Sequence, residues 1–249
     1  SDTVSVMYVT DRVPTNEATD HWEYGYARSR SAAFGDSVVQ IGKDQSWNDI
    51  VQASRISKRS RKLELTITAT NEQARFEKTP PTLFLTEAQM ASTQAQAPTE
   101  VQIEAEKKFL DELTRRLALT PRKEVFIFVH GFNDTFDYSV LTTAQLWHFL
   151  GREGVPFCYS WPAGEGLLKA YEYTLASTEF TEYHFKQTLR LIASHPEVKK
   201  INIIAHSRGT AVLTDTVREM YLESKCGGEE MVKAMKFGNI VLAAADLEL

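Results

Sequence analysis

The sequence predicts an α/β fold: three layers, with a mostly parallel central sheet between helices and antiparallel strands joining it from the N-terminal side. Three observations predict it. Apolar runs without alternation recur from residue 125 onward, segments of helical periodicity separate them, and a stretch of clean polar/apolar alternation precedes them. With 249 residues, 43% of them hydrophobic, the chain is long enough to bury the core such a sheet needs.

Val4–Val9 alternates, with Val4, Val6 and Tyr8 against Ser5, Met7 and Val9, and reads as a strand stopped by the segment from Asp11 to Pro14. Ser37–Ile41 is a second, short strand. Leu63–Ala69 puts Leu63, Leu65, Ile67 and Ala69 on one face and Glu64, Thr66 and Thr68 on the other, the pattern of a half-buried antiparallel strand. Met90–Thr99, rich in Ala, Gln, Ser and Thr, reads as a linker. Thr99 then caps a helix, with Gln102 in capping-box position. Phe109, Leu110, Leu113 and Leu117 recur at helical spacing, and Thr120-Pro121 ends the helix.

Val125–Val129, Pro156–Ser160, Ile201–Ala205 and Ile240–Ala244 follow as strands expected to be buried on both faces. Helices over about 138–150, 174–194 and 210–224 separate them. Alternating strands and helices imply a parallel sheet covered on both sides. Ligands in such sheets bind at the carboxyl ends of the strands. The whole of 1–249 is expected to form a single domain. Residues 1–97 are its strand-rich part, joining or covering the sheet, and 98–249 its catalytic core.

Composition narrows the function. A net charge of −5 and a pI near 5.7 argue against nucleic acid as the main partner, because that binding relies on cations neutralising phosphates. Cys158 lies in an apolar run, where a free thiol packs as a small hydrophobe, and with Cys226 it makes two cysteines, which leave the redox compartment open. No apolar run approaches the ~20 residues of a membrane span, and no signal peptide is visible. The start at Ser1 fits a processed chain, so cytoplasmic and exported locations both stay open. No Cys/His cluster has metal-ligand spacing and no Gly-rich phosphate loop occurs, so neither metal nor cofactor is expected. The basic run Arg55, Lys58, Arg59, Arg61, Lys62 reads as a solvated face. Oligomeric state is not legible.

Three loops after the predicted strands carry the chemistry. Ala205-His206-Ser207-Arg208-Gly209 lies between an apolar strand and an amphipathic helix. This is the context of a nucleophile elbow, a tight turn that holds its Ser in a strained conformation. Small residues two before and two after the Ser let neighbouring backbone approach, and Ala205 and Gly209 meet that need. The bland reading of Ser207 is a helix N-cap. His130-Gly131-Phe132-Asn133 follows the first buried strand. An oxyanion hole needs two N–H donors, and the backbone amides of Phe132 and Arg208 are the candidates, the second reinforced by the helix N-terminus. His130 itself reads as pinning this turn rather than as a base. Ser160-Trp161-Pro162 follows the second buried strand, and Trp161 is either a wall of the substrate pocket or core packing.

Phe128-Val129-His130-Gly131-Phe132-Asn133, Ser160-Trp161-Pro162, Ala205-His206-Ser207-Arg208-Gly209 and Val241-Leu242-Ala243-Ala244-Ala245-Asp246 together resemble the bacterial alpha/beta hydrolase family of unknown function number 900. Tyr8-Val9-Thr10-Asp11-Arg12 and Tyr24-Gly25-Tyr26-Ala27-Arg28 resemble its N-terminal region, so the likeness covers nearly the whole chain. The resemblance implies an α/β-hydrolase fold and esterase or lipase chemistry on small-molecule or lipid esters. Family members usually carry Met where this chain has Arg208. The oxyanion hole uses only the backbone there, and an Arg at the pocket edge would favour acidic substrates.

A serine nucleophile needs a base and an acid to orient it, and the chain order in this fold is Ser, acid, His. The six histidines are His21, His130, His148, His184, His195 and His206, and none follows Ser207. His148, His184 and His195 fall in or at the ends of helices and read as surface or packing residues. The expectation is that the fold continues beyond Leu249 with two more strands whose loops supply acid and His. Asp246, at the carboxyl end of the fourth buried strand, is the candidate acid within the chain, with helix cap or loop-ordering residue as its other reading. The rival to a serine hydrolase is a non-catalytic binding or scaffold module of the same fold.

Overall fold

A computed structural model describes residues 2–17, 21–42, 45–55, 63–79, 98–164, 169–224 and 228–246. In chain order the elements are β1 (Thr3–Glu17), β2 (Trp22–Ile41), α1 (Trp47–Arg55), β3 (Leu65–Arg75), α2 (Glu100–Ala118), β4 (Glu124–Val129), α3 (Phe136–Phe149), β5 (Val155–Ser160), α4 (Lys169–Ser194), β6 (Lys200–His206), α5 (Gly209–Glu223), α6 (Gly228–Ala234) and β7 (Phe237–Ala243). The seven strands form one open, mixed sheet in the order β3-β2-β1-β5-β4-β6-β7. From β1 to β7 every neighbouring pair is parallel, whereas β2 pairs antiparallel with both β1 and β3.

Strand alternation sorts the core into two faces. Met7, Val9, Val125, Ile127, Val129, Phe157, Ile201 and Ile203 point to the side of α2, α4 and α5, where they meet Phe109, Leu113, Phe185, Leu189 and Val212. Val4, Val6, Tyr8, Val39 and Cys158 point the other way, against Ile50 of α1 and Phe136, Val140 and Ala144 of α3. Cys158 is buried with a free thiol, and burial pushes that thiol up to about 11, so it packs rather than reacts. Cys226 lies outside the described residues, as do 90–97 of the expected linker and Lys58, Arg59, Arg61 and Lys62 of the basic run.

Four local expectations need correction. β1 does not stop at Asp11 to Pro14. It continues to Glu17, with pairing irregularities between Thr10 and Arg12, Arg12 and Pro14, and Pro14 and Asn16; a bulged strand tolerates a proline that a regular one does not. β2 likewise starts at Trp22, well before Ser37. Thr99 does cap α2, accepting from the Gln102 N–H at 3.3 Å, but the Gln102 side chain donates to Glu106 and accepts from the Glu77 N–H, so the reciprocal half of the box is not made. Finally, β7 forms where expected but is not buried. It is the outer strand among the described residues, and Ile240, Val241 and Leu242 are 42%, 47% and 40% exposed. Apolar character alone does not distinguish a covered strand from an edge one.

The β1–β5 pairing ends at Thr10 opposite Ser160, while the β1–β2 pairing continues to Glu17 opposite Trp22. The hairpin therefore projects past the carboxyl edge of the sheet as an arm. Helix α4 holds it: Arg28 donates to Ser177 Oγ at 2.8 Å and to the Tyr173 carbonyl at 2.6 Å, and Tyr173 donates to the Tyr26 carbonyl at 2.9 Å.

Candidate active site

Ser207 sits between the end of β6 and the start of α5 with φ at +49°, in the left-handed region. A non-glycine residue pays about 1–2 kcal/mol there and keeps the conformation only where its surroundings impose it. The surroundings do so here. The Ser207 N–H donates to the Ala243 carbonyl of β7 at 2.8 Å, and its carbonyl accepts from the Thr210 N–H at 2.9 Å and the Thr210 hydroxyl at 2.7 Å. The Ser207 side chain is partly exposed, and its hydroxyl makes no hydrogen bond among the described residues.

Two glycines let the neighbouring loop close on this turn. A Cβ at Gly209 would lie 2.3 Å from the His130 carbonyl oxygen and 2.8 Å from that of Val129. A Cβ at Gly131 would lie 3.0 Å from Ser207 Cβ and 3.1 Å from both His206 Nδ1 and the His206 carbonyl oxygen. The start of α5 and the loop after β4 thus meet at backbone contact, with Gly131 facing Ser207.

That loop is ordered internally. The Gly131 N–H donates to Asp134 Oδ2 at 2.9 Å, Asn133 adopts φ of +58°, and Thr135 caps α3 by accepting from the Tyr138 N–H at 3.0 Å. His130 is wholly buried. Burial first, then the Arg12 charge, pushes its imidazolium down to about 3, so the ring is neutral near pH 7. Each ring nitrogen lies near a carbonyl, Nδ1 at 2.9 Å from that of Gly131 and Nε2 at 3.0 Å from that of Trp161, but Nε2 also faces two donors, the Trp161 N–H and Arg12 Nη2, so the proton is assigned to Nδ1. Nε2 is then the acceptor for the Trp161 N–H at 3.0 Å. His130 pins the loop.

Trp161 has no exposed surface. Its indole stacks on His130 at 5.2 Å between centroids and donates to the His130 carbonyl at 2.8 Å. Of its two readings, packing describes this placement, and Trp161 lines no opening here. Arg208 is only 9% exposed rather than at an open edge, and its Nε is buried with no hydrogen-bond partner among the described residues. Asp246 returns to the first turn of α5, where its N–H donates to Thr210 Oγ1 at 3.2 Å; its carboxylate is exposed and makes no hydrogen bond among the described residues.

The remaining histidines are engaged or distant. His148 accepts from Arg152 Nε at 2.8 Å, His195 pairs with Thr114 at 2.8 Å, and the backbone of His21 bridges to that of Thr70. No histidine hydrogen-bonds to Ser207 among the described residues. His184 belongs to a buried set that the sequence did not reveal: its Nδ1 lies 3.0 Å from Asp11 Oδ2, which also accepts from Thr181. Arg12 was also missed as a site residue. It is wholly buried and donates to Ser160 Oγ, to the Gly25 carbonyl and to the Asp134 carbonyl, at 3.0, 3.0 and 2.7 Å. No group of metal-ligating side chains able to hold an ion occurs among the described residues, and no described helix is long and apolar enough to cross a membrane.

Residues 105–249 match the model of a family described as alpha/beta hydrolase of unknown function (DUF900). No match was found among curated proteins or among solved structures.

Proposed function

Because the chain belongs to the DUF900 family of alpha/beta hydrolases, we propose that it hydrolyses carboxylic esters through an acyl-enzyme on Ser207. The observation that carries this reading is the conformation of Ser207: left-handed, at a strand-to-helix turn, with its hydroxyl unengaged among the described residues and a glycine loop packed against it. Fixing a serine in a costly conformation without using its side chain structurally is what a nucleophile requires.

In this reading Ser207 Oγ attacks the ester carbonyl and gives its proton to a base. The carbonyl oxygen becomes an oxyanion, held by the amides of Phe132 and Arg208. Collapse expels the alcohol, which takes up the proton, and water then repeats the sequence to release the acid. The chemistry needs no cofactor. His130 is locked as a neutral donor within its loop and His206 is the chain neighbour of Ser207, so neither is assigned as base. Asp246, close to the first turn of α5, is the acid within the chain that this reading retains.

The absence of a paired histidine among the described residues favours the second reading, a binding or scaffold module on the same fold. A fluorophosphonate probe separates the two. Labelling of Ser207, abolished in Ser207→Ala, supports the hydrolase, and p-nitrophenyl esters of increasing chain length then define the acyl preference. A folded protein that stays unlabelled supports the scaffold.

A further inference from the structure

Arg12 is a buried cation whose contacts all converge on the edge of the sheet that holds Ser207. It comes from the projecting arm, outside residues 105–249. Its Nε donates to Ser160 Oγ at the end of β5, Nη1 to the Gly25 carbonyl across the hairpin, and Nη2 to the Asp134 carbonyl, with His130 Nε2 at 3.3 Å. Ser160 Oγ accepts in turn from Ser139 in α3. Among the described residues no carboxylate hydrogen-bonds to this guanidinium; burial lowers its pKa to about 10, against the nearby charges of Asp11 and Asp134, which raise it. A cation held by neutral acceptors is an expensive way to fill a core. Its fork geometry, however, reaches several acceptors in fixed directions at once.

The contact with His130 has a geometric consequence. Facing that ring are Arg12, the Asp134 carboxylate with Oδ2 3.9 Å from Nδ1, and His206. The Trp161 carbonyl lies 3.0 Å from Nε2 and would favour a proton there, but Arg12 Nη2 and the Trp161 N–H both aim donors at Nε2; the cation tips the balance to a lone pair on Nε2 and the proton on Nδ1, where it meets the Gly131 carbonyl. In a trans peptide the carbonyl and the following N–H point in opposite directions. Holding the Gly131 carbonyl on His130 therefore turns the Phe132 N–H away from the imidazole. We propose that Arg12 is a positioning residue: acting through the His130 ring, it sets the direction of the Phe132 amide in the loop that faces Ser207. The role in turnover rests on the reading of Ser207 as nucleophile; the control of His130 by Arg12 does not.

Two measurements on the whole chain test it, in the wild type and in Arg12→Met. The first is the ¹⁵N spectrum of the His130 imidazole. The wild type should show a proton fixed on Nδ1 and no titration between pH 5 and 8. Arg12→Met should show mixed tautomers or a titration within that range. The second is the rate constant for fluorophosphonate labelling of Ser207, which should fall about ten- to hundredfold in Arg12→Met, since misdirecting one oxyanion donor approaches the effect of deleting it. On a p-nitrophenyl ester the loss should appear in kcat with KM little changed. Arg12→Lys should fail to rescue, because one ammonium does not replace the fork. Should Arg12→Met not fold, Arg12→Lys and Ser160→Ala report the same two quantities. An unchanged His130 spectrum overturns the proposal, and so does a labelled protein whose rate ignores Arg12. A wild type that is never labelled, but whose His130 follows Arg12, overturns the hydrolase reading instead and leaves the clamp standing.

Discussion

Acid should weaken this fold through His130, by an amount the structure sets. The ring has no exposed surface, and burial with the Arg12 charge holds its pKa at about 3, against an ordinary value of 6.5. Between those values the unfolded chain binds a proton that the folded chain refuses, so stability rises with pH across the window. The contribution is complete above pH ~6.5, is lost as pH falls, and levels off below about 3. Each pH unit is worth about 1.36 kcal/mol, so at pH 4 the loss is about 3 kcal/mol. Other groups run the opposite way. Burial raises the carboxyls of Asp134, Asp137 and Glu182, the last to about 7. Their folded forms take up protons first, which favours the fold in acid. The test is therefore a difference: urea unfolding of wild type and His130→Asn at pH 7 and pH 4. The variant is less stable at pH 7, having lost the bonds to Gly131 and Trp161. The gap between the two proteins should narrow by about 3 kcal/mol at pH 4. A gap of the same size at both pH values would refute the argument that His130 is buried neutral.

Two substitutions have signs that the structure decides. Gly209→Ala at an ordinary helix start would gain up to about 1 kcal/mol. Here the new Cβ meets the His130 carbonyl at 2.3 Å, so α5 must shift and stability should fall by roughly 2 kcal/mol; a urea midpoint at or above wild type would sink this. Arg208→Met removes a guanidinium whose Nε is buried with no hydrogen-bond partner among the described residues and should raise stability by about 1–3 kcal/mol. A lower melting temperature in the variant would show that the guanidinium has a stabilising role after all.

The inner strands of the parallel half were legible because helices cover them, and burial on both faces writes a continuous apolar run into Val125–Val129. The arm was not. From Trp22 to Ser31 only Tyr24 and Trp22 reach a core cluster and charged and small residues fill the rest, so no period shows, and the irregular pairing around Arg12 and Pro14 breaks the alternation that would reveal a strand. Helix α1 was missed although Ser46 and Asp49 cap it reciprocally: the Asp49 N–H donates to Ser46 Oγ at 3.2 Å and the Ser46 N–H to Asp49 Oδ2 at 3.1 Å. That spacing was a readable signal.

The site divides along the same physical line. Ser207, Gly209 and Gly131 announce themselves because a tight turn and a close backbone approach each demand a residue type at a fixed local spacing. Arg12 meets His130 across 118 positions, and Asp11 meets His184 across 173. Nothing local in the sequence marks such a pair, because the constraint acts on partners that only the sheet order brings together: β1 must lie beside β5 before Arg12 can reach Ser160. An isolated Arg in a polar stretch then reads as a solvated charge. What it becomes depends on the strand beside it, and here Arg12 also reaches the loop that approaches the Ser207 turn. The residues of the Ser207 turn are therefore written in short motifs, and the residues that hold it in place are written in topology.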